Sequence, residues 1–80
     1  MRVDEIRGYH RAEPFKPFTI RVADGREYRV PHPEFLMFLP SGRSIVVAST
    51  DDHVEIIDTL MVTSIHLGNG RKPKRERKSR

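Results

Sequence analysis

The sequence predicts a small, mainly β domain (α+β class) with one short N-terminal helix followed by a five-stranded antiparallel small barrel. Two observations lead to this prediction. Apolar and polar residues alternate in short runs between residues 18 and 67, and turn residues separate those runs. The chain has only 80 residues, enough for one domain. A chain this short curls its strands into a barrel because a flat sheet would leave two open edges.

The division of the chain into a domain and a tail follows from its composition. All apolar residues lie within residues 1–68, which carry 8 Lys or Arg and 10 Asp or Glu, for a net charge of −2. Residues 69–80 carry 7 Lys or Arg and one Glu, for a net charge of +6. We therefore predict a single domain at 1–68 and a disordered basic tail at 69–80.

The first predicted element is a short amphipathic helix over residues 3–12. Apolar residues recur at a spacing of three from Val3. Asp4 and Glu5 suit the N-terminal end of a helix, where the helix dipole favours negative charge. Pro14 ends the helix because proline cannot continue its hydrogen-bond pattern.

Residues 18–30 have the clearest local pattern, that of a β-hairpin around Asp24-Gly25. A two-residue loop would pair core positions with solvent positions. A three-residue loop that also includes Ala23 keeps each face consistent and places Gly25 in the left-handed conformation. The predicted partners are Phe18 with Val30, Ile20 with Tyr28, and Arg21 with Glu27.

The remaining strands are assigned from β-branched and apolar runs. Residues 35–39 are predicted to form a buried strand, with one helical turn starting at Pro33 as the alternative. Residues 44–49, 54–57 and 61–67 complete the set, and a turn at 58–60 separates the last two. We expect Asp58 to cap that turn, and we expect Glu55 and Asp58 on an outer face.

The basic tail carries the strongest functional signal. A run of cations neutralises phosphates and releases their counterions, which gives affinity for nucleic acid of any sequence. The seven cations are Arg71, Lys72, Lys74, Arg75, Arg77, Lys78 and Arg80. We therefore predict a non-enzymatic small binding module that binds RNA or DNA through this tail. The alternative is a solubilising end without a dedicated partner.

The domain offers a second set of candidate residues. His32 stands between two prolines beside Glu34, an arrangement suited to a binding surface or simply to a rigid corner between strands. Arg21 and Arg29 share the predicted outer face of the hairpin, as part of a nucleic-acid site or of an ordinary solvated face. These residues support the alternative function, a protein-interaction or assembly module that uses the folded domain. A core this small without disulfides also predicts self-association.

Several classes of protein are excluded by what the sequence lacks. Without cysteine there is no disulfide, thiolate metal site or cysteine nucleophile. The four histidines lack the spacing of metal ligands, and no phosphate loop or nucleophile motif occurs, so we expect no metal, no cofactor and no enzyme activity. The longest apolar run, residues 35–39, is too short for a membrane span. No secretory signal begins the chain, so we expect a cytoplasmic protein.

Four motifs in one order give the sequence a resemblance to a known family. They are PFKPF at 14–18, ADGR at 23–26, VPHPEF at 30–35 and EIID at 55–58. Over residues 4–67 the chain resembles a family of short bacterial proteins that has no established function, so the resemblance implies a bacterial source and no activity. The order of helix and strands is also similar to that of Sm-like barrels, which bind RNA as rings. That analogy favours RNA over DNA as the ligand.

Overall fold

The computed structural model describes residues 1–68, which form one helix and six strands. These elements are α1 (Val3–His10), β1 (Phe18–Val22), β2 (Glu27–Val30), β3 (Leu36–Phe38), β4 (Ser44–Ala48), β5 (Val54–Asp58) and β6 (Val62–Leu67). Two short 3-10 turns, Pro33–Phe35 and Thr59–Met61, precede β3 and β6. The strand and the helical turn that competed for residues 33–39 therefore both form, one after the other.

The strands form two three-stranded antiparallel sheets, and over residues 1–68 these sheets do not close into a barrel. The first sheet has the order β2-β1-β6 and the second has the order β3-β4-β5. The mainly β class with an N-terminal helix is confirmed, whereas the prediction of a small barrel is wrong. Pro31 and Pro33 lack the N–H groups that a ladder needs, and the 3-10 turn redirects the chain, so β2 ends before it can pair with β3.

The structure has six strands, one for each of the six runs assigned from the sequence, so the stated total of five strands is wrong by one. The 3-10 turn Thr59–Met61 separates the last two, and the Asp58 carboxylate accepts a hydrogen bond from the Leu60 N–H at 2.8 Å, as predicted for a cap. β5 pairs with β4 in the second sheet, whereas β6 pairs with β1 in the first. This turn therefore carries the chain from one sheet to the other.

The β1–β2 hairpin has the register that the three-residue loop predicts. Phe18 lies opposite Val30, and Ile20 lies opposite Tyr28. Gly25 has a φ of +92°, a left-handed conformation that residues with a Cβ rarely adopt. The loop chemistry therefore determines which side chains of both strands face the core.

The core lies between the inner faces of the two sheets. The first sheet contributes Phe18, Ile20 and Val30, all fully buried. The second sheet contributes Ile45, and α1 adds Ile6, both also fully buried. The helix ends at His10, two residues before its predicted end. Burial of these apolar side chains is the main force that holds the two sheets together.

Candidate functional site

The cationic tail lies outside the described residues, so its seven predicted binding residues have no structural description here. The described chain ends after β6, where the Gly68 N–H donates a hydrogen bond to the Pro17 carbonyl at 2.9 Å. The tail therefore follows directly from an edge strand of the first sheet. What the structure does describe is the domain with net charge −2 that carries this tail.

The segment around His32 and Glu34 forms a corner that is held in place by contacts within the segment and with α1. The Phe35 N–H donates to the His32 carbonyl at 3.0 Å, and the two rings lie 6.0 Å apart between centroids. His10 of α1 approaches the Pro33 carbonyl at 2.9 Å through its Nε2 atom. The segment is thus fastened to the helix, while His32 and Glu34 themselves remain exposed. They offer a rigid, solvent-accessible surface, which agrees with either interpretation of this segment.

Arg21 and Arg29 both lie on the outer face of the first sheet. Arg21 donates to the Glu27 carboxylate from Nε and from Nη2, at 3.1 Å and 2.6 Å, and its side chain is half exposed. Arg29 lies two residues after Glu27 in β2, opposite Thr19 of β1. Because a carboxylate already neutralises Arg21, this face offers less positive charge to a polyanion than its arginines suggest.

A groove that sequence reasoning did not find opens beside Arg29. It has a volume of about 590 Å³ and lies between β2, the end of β4 and the β4–β5 turn. Tyr28, Phe35 and Val47 supply apolar walls, and charged side chains of both signs line it as well. The groove thus brings Arg29 near the His32 corner, whereas Arg21 lies outside its lining. Mixed charge and wide access to solvent make it a shallow surface rather than an enclosed ligand site.

One edge of the groove carries Ser49, Asp51 and His53, the residue types of a nucleophilic triad. The Ser49 hydroxyl donates to the Asp51 carboxylate, and His53 Nδ1 lies 3.1 Å from the same carboxylate. The hydrogen bond from Ser49 holds the pKa of Asp51 below its ordinary value. In a triad the serine hydroxyl donates to the imidazole instead. These contacts therefore stabilise the β4–β5 turn and do not activate a nucleophile.

The outer faces of the two sheets have opposite chemistry. The outer residues of the first sheet are all polar. They are Thr19, Arg21, Glu27, Arg29, Ser64 and His66. The outer face of the second sheet is apolar over two adjacent rows of cross-strand neighbours. These rows are Met37, Val46 and Ile56, and Ala48 with Val54.

The apolar rows define what we call the apolar face (Met37, Val46, Ala48, Val54 and Ile56). Ile56 is 68% exposed, Val54 59% and Met37 56%. The sequence did carry a signal for this face. Adjacent apolar residues in a strand point to opposite sides, so the pairs at 46–47 and 56–57 each place one apolar side chain on the outside.

The expectation that Glu55 and Asp58 share an outer face is wrong. Asp58 lies on the same side of β5 as Ile56, whereas Glu55 pairs with the buried Val47 and lines the groove. Residues three apart in a strand lie on opposite faces, so the two acids are separated by geometry. Of the two acids, only Asp58 lies on the outer side of β5.

Comparison of the chain with known protein families, with curated proteins and with solved structures returned no match. The resemblance to a family of short bacterial proteins therefore stays a prediction.

The described domain has two distinctive surfaces. Within residues 1–68, no group of three or more His, Asp or Glu side chains is placed to hold a metal ion. The helix in this part of the chain is neither long nor apolar enough to cross a membrane. These two surfaces of the domain are the groove and the apolar face.

Proposed function

We propose that this chain is a non-enzymatic module that binds nucleic acid through its basic tail and uses the folded domain as the carrier of that tail. The observation that carries the proposal is the segregation of charge. Seven cations lie within the last ten residues, next to a domain of net charge −2. An array of cations at this density releases counterions when it meets phosphates, and this release drives association.

The ion pairs of the domain support the proposal that the tail, and not the domain, binds phosphates. Arg21 is paired with Glu27 at 2.6 Å, and Arg26 with Asp24 at 3.3 Å. Neighbouring groups also raise the pKa of Arg26, first the hydrogen bond with Tyr28 and then the charge of Asp24. Cations held by carboxylates contribute little net attraction for a polyanion. Phosphate affinity is therefore assigned to the tail.

The proposal includes contacts to phosphates and excludes base stacking by the tail. Residues 69–80 contain no aromatic side chain that could stack on a base. The preference for RNA rested on the similarity in strand order to Sm-like barrels, and the two sheets do not form a closed barrel. The proposal therefore covers RNA and DNA alike.

The test compares the full chain with a variant that loses four tail cations: Lys74→Gln, Arg75→Gln, Arg77→Gln and Lys78→Gln. Binding to a fluorescent single-stranded RNA and to a DNA duplex is measured over a range of salt concentrations. Seven phosphate contacts give a log–log salt slope for single strands of about −5, and removal of four brings it to about −2.

The matched control is Arg21→Gln, which removes one cation from the domain and should leave the slope unchanged. Equal affinity and slope for the full chain and the fourfold variant would contradict the proposal. A loss of slope in the Arg21→Gln variant would assign the phosphate contacts to the domain instead.

A protein-interaction module that works through the folded domain is the second candidate function. The exposed apolar face favours it, because monomeric proteins rarely leave a contiguous apolar surface uncovered. The held corner at His32 and Glu34 offers a further rigid contact. Recovery of one stoichiometric protein partner, lost with His32→Ala, would support this function through that corner, and recovery of nucleic acid alone would count against it.

A further inference from the structure

Leu60, Met61 and Leu67 are exposed as well, but among the described residues only the second sheet carries apolar side chains side by side on its outer face. Its centre is the row in which Met37, Val46 and Ile56 lie side by side on three strands. Val54 and Ala48 form the adjacent row. An antiparallel sheet with one face in water normally alternates apolar and polar residues, as the first sheet does. The second sheet instead has apolar residues on its outer face over these two rows, and its inner face is apolar as well except for Glu55.

The area of this face is large for so small a domain. Its exposed fractions correspond to an apolar surface on the order of 400 Å², which lies within the range of the largest patches found on monomers. Two such faces packed together, with their polar margins, approach roughly 1,000 Å² of buried surface, the lower limit for a specific interface. The face is therefore large enough to support weak self-association.

The tail of the same chain is not a suitable occupant of this face. Residues 69–80 contain no apolar side chain. They would cover the face with charged groups and make no apolar contact with it. An apolar partner surface is required. The face itself provides one, because two copies related by a two-fold axis present the same rows to each other.

The edge of β5 does not favour the other simple mode of association, strand-to-strand pairing between copies. A cleft of about 190 Å³ lies along this edge, and Val22, Asp24 and Arg26 at the end of the first hairpin line its other side. Pairing of β5 with a second β5 would also leave both apolar faces in water. Packing face to face buries them, at the separation of about 10 Å that stacked sheets adopt.

We propose that the apolar face is a self-association surface through which two copies of this chain pack sheet to sheet. This inference does not depend on the binding of nucleic acid. In combination with that proposed function, it would place two tails of charge +6 on one particle. Two linked tails bind one polyanion more tightly than either tail alone, because the second contact is intramolecular.

The first test is sedimentation of the full chain between about 1 µM and 500 µM, with Ile56→Glu as the variant. An interface near the lower size limit is typical of weak, transient association, so the concentration range extends well above 1 µM. We expect the wild type to pass from monomer to dimer over this range. A charge within the apolar face should weaken dimerisation at least about tenfold, because it would be buried without a partner.

The matched control is His66→Glu, which places the same charge at an exposed position on the polar face of the first sheet. It should dimerise like the wild type. Far-ultraviolet circular dichroism at 1 µM, the dilute end of the range where we expect monomers, checks that the fold is retained. A wild type that is monomeric at 500 µM overturns the proposal, as does an equal effect of the two variants.

A second readout locates the surface directly. The chain has three methionines, and the Met37 methyl group lies in the apolar face. In spectra of the full chain labelled with carbon-13 at methionine methyl groups, the Met37 signal should shift with concentration, and the Met1 signal should not. A wild-type dimer in which the Met37 signal is unchanged would place the interface elsewhere and overturn the assignment.

Discussion

The two sheets of this domain have equivalent inner faces and opposite outer faces. Inside, both contribute fully buried aliphatic side chains such as Ile20 and Ile45. Outside, the first sheet carries a hydrogen-bonded ion pair between Arg21 and Glu27, and the second carries the apolar face around Ile56. Both sheets therefore share the burial of the core, whereas a continuous exposed apolar surface occurs on the outer face of the second sheet only.

Substitutions on the inner faces of the two sheets should have the largest effects on the free energy of unfolding. Ile20→Ala in the first sheet and Ile45→Ala in the second should each lower the free energy of unfolding by about 2–5 kcal/mol, because each leaves a cavity among fully buried neighbours. Urea denaturation measures both. A loss below about 1 kcal/mol at either position would show that its sheet is loosely packed and would break the equivalence.

The two sheets also differ in the residue that ends their three-residue hairpin loops. Gly25 has φ +92° in the first sheet, and Asp52 has φ +69° in the second. Gly25→Ala should lower the free energy of unfolding by about 1 kcal/mol through backbone strain alone, since a Cβ there would contact nothing within 4 Å.

The complementary change is Asp52→Gly, which relieves a left-handed residue that carries a Cβ. It should raise the free energy of unfolding by about 0.5 kcal/mol. Thermal unfolding of both variants beside the wild type compares them. A stabilising Gly25→Ala substitution would contradict the loop geometry described for the first hairpin.

The ion pair on the polar face gives a smaller effect. Arg21→Ala should cost about 0.2–1 kcal/mol at low salt, because both side chains are half exposed and solvent screens their attraction. The difference from the wild type should shrink in 1 M salt, where the screening length is about 3 Å. A cost that does not change with salt would indicate that Arg21 acts through packing of its aliphatic stem instead.

The smallest effect concerns the β4–β5 turn of the second sheet. The Ser49 hydroxyl holds the pKa of the Asp51 carboxyl below its ordinary value, so Ser49→Ala should raise that pKa towards the ordinary value. Because the folded-state pKa is lowered, this contact stabilises the fold at neutral pH, and its contribution is lost as the pH falls through that pKa. Titration of side-chain carboxyl signals by NMR measures the shift, and Thr50→Ala, a neighbouring exposed hydroxyl, serves as the control.

Local chemistry explains which parts of the fold could be predicted. The hairpin register followed from the parity of alternation on either side of Ala23-Asp24-Gly25, and the structure has the predicted partners. The turn capped by Asp58 was predicted for the same reason, since an acceptor two residues before an N–H acts within a single turn. Each of these features depends on residues that are close in the chain.

The candidate surfaces were harder to predict because they depend on residues far apart in sequence. The groove brings Tyr28 and Phe35 together with the β4–β5 turn, about 20 residues further along the chain. The apolar face needs the pairing of β3, β4 and β5 in one register before Met37 lies beside Val46 and Ile56. A single strand shows only that one of two adjacent apolar residues faces outward, and neighbouring strands decide whether those residues form a continuous surface.

The sequence by itself determined the mainly β class, the helix, the hairpin register and the separation of charge between domain and tail. It did so because alternation, turn residues and net charge are local or additive properties. Only the tertiary structure decided that β6 returns to β1 while β5 stays with β4, which gives two sheets in place of the predicted barrel. Which distant strands pair depends on many contacts across the whole domain, so no local pattern of residues predicts it.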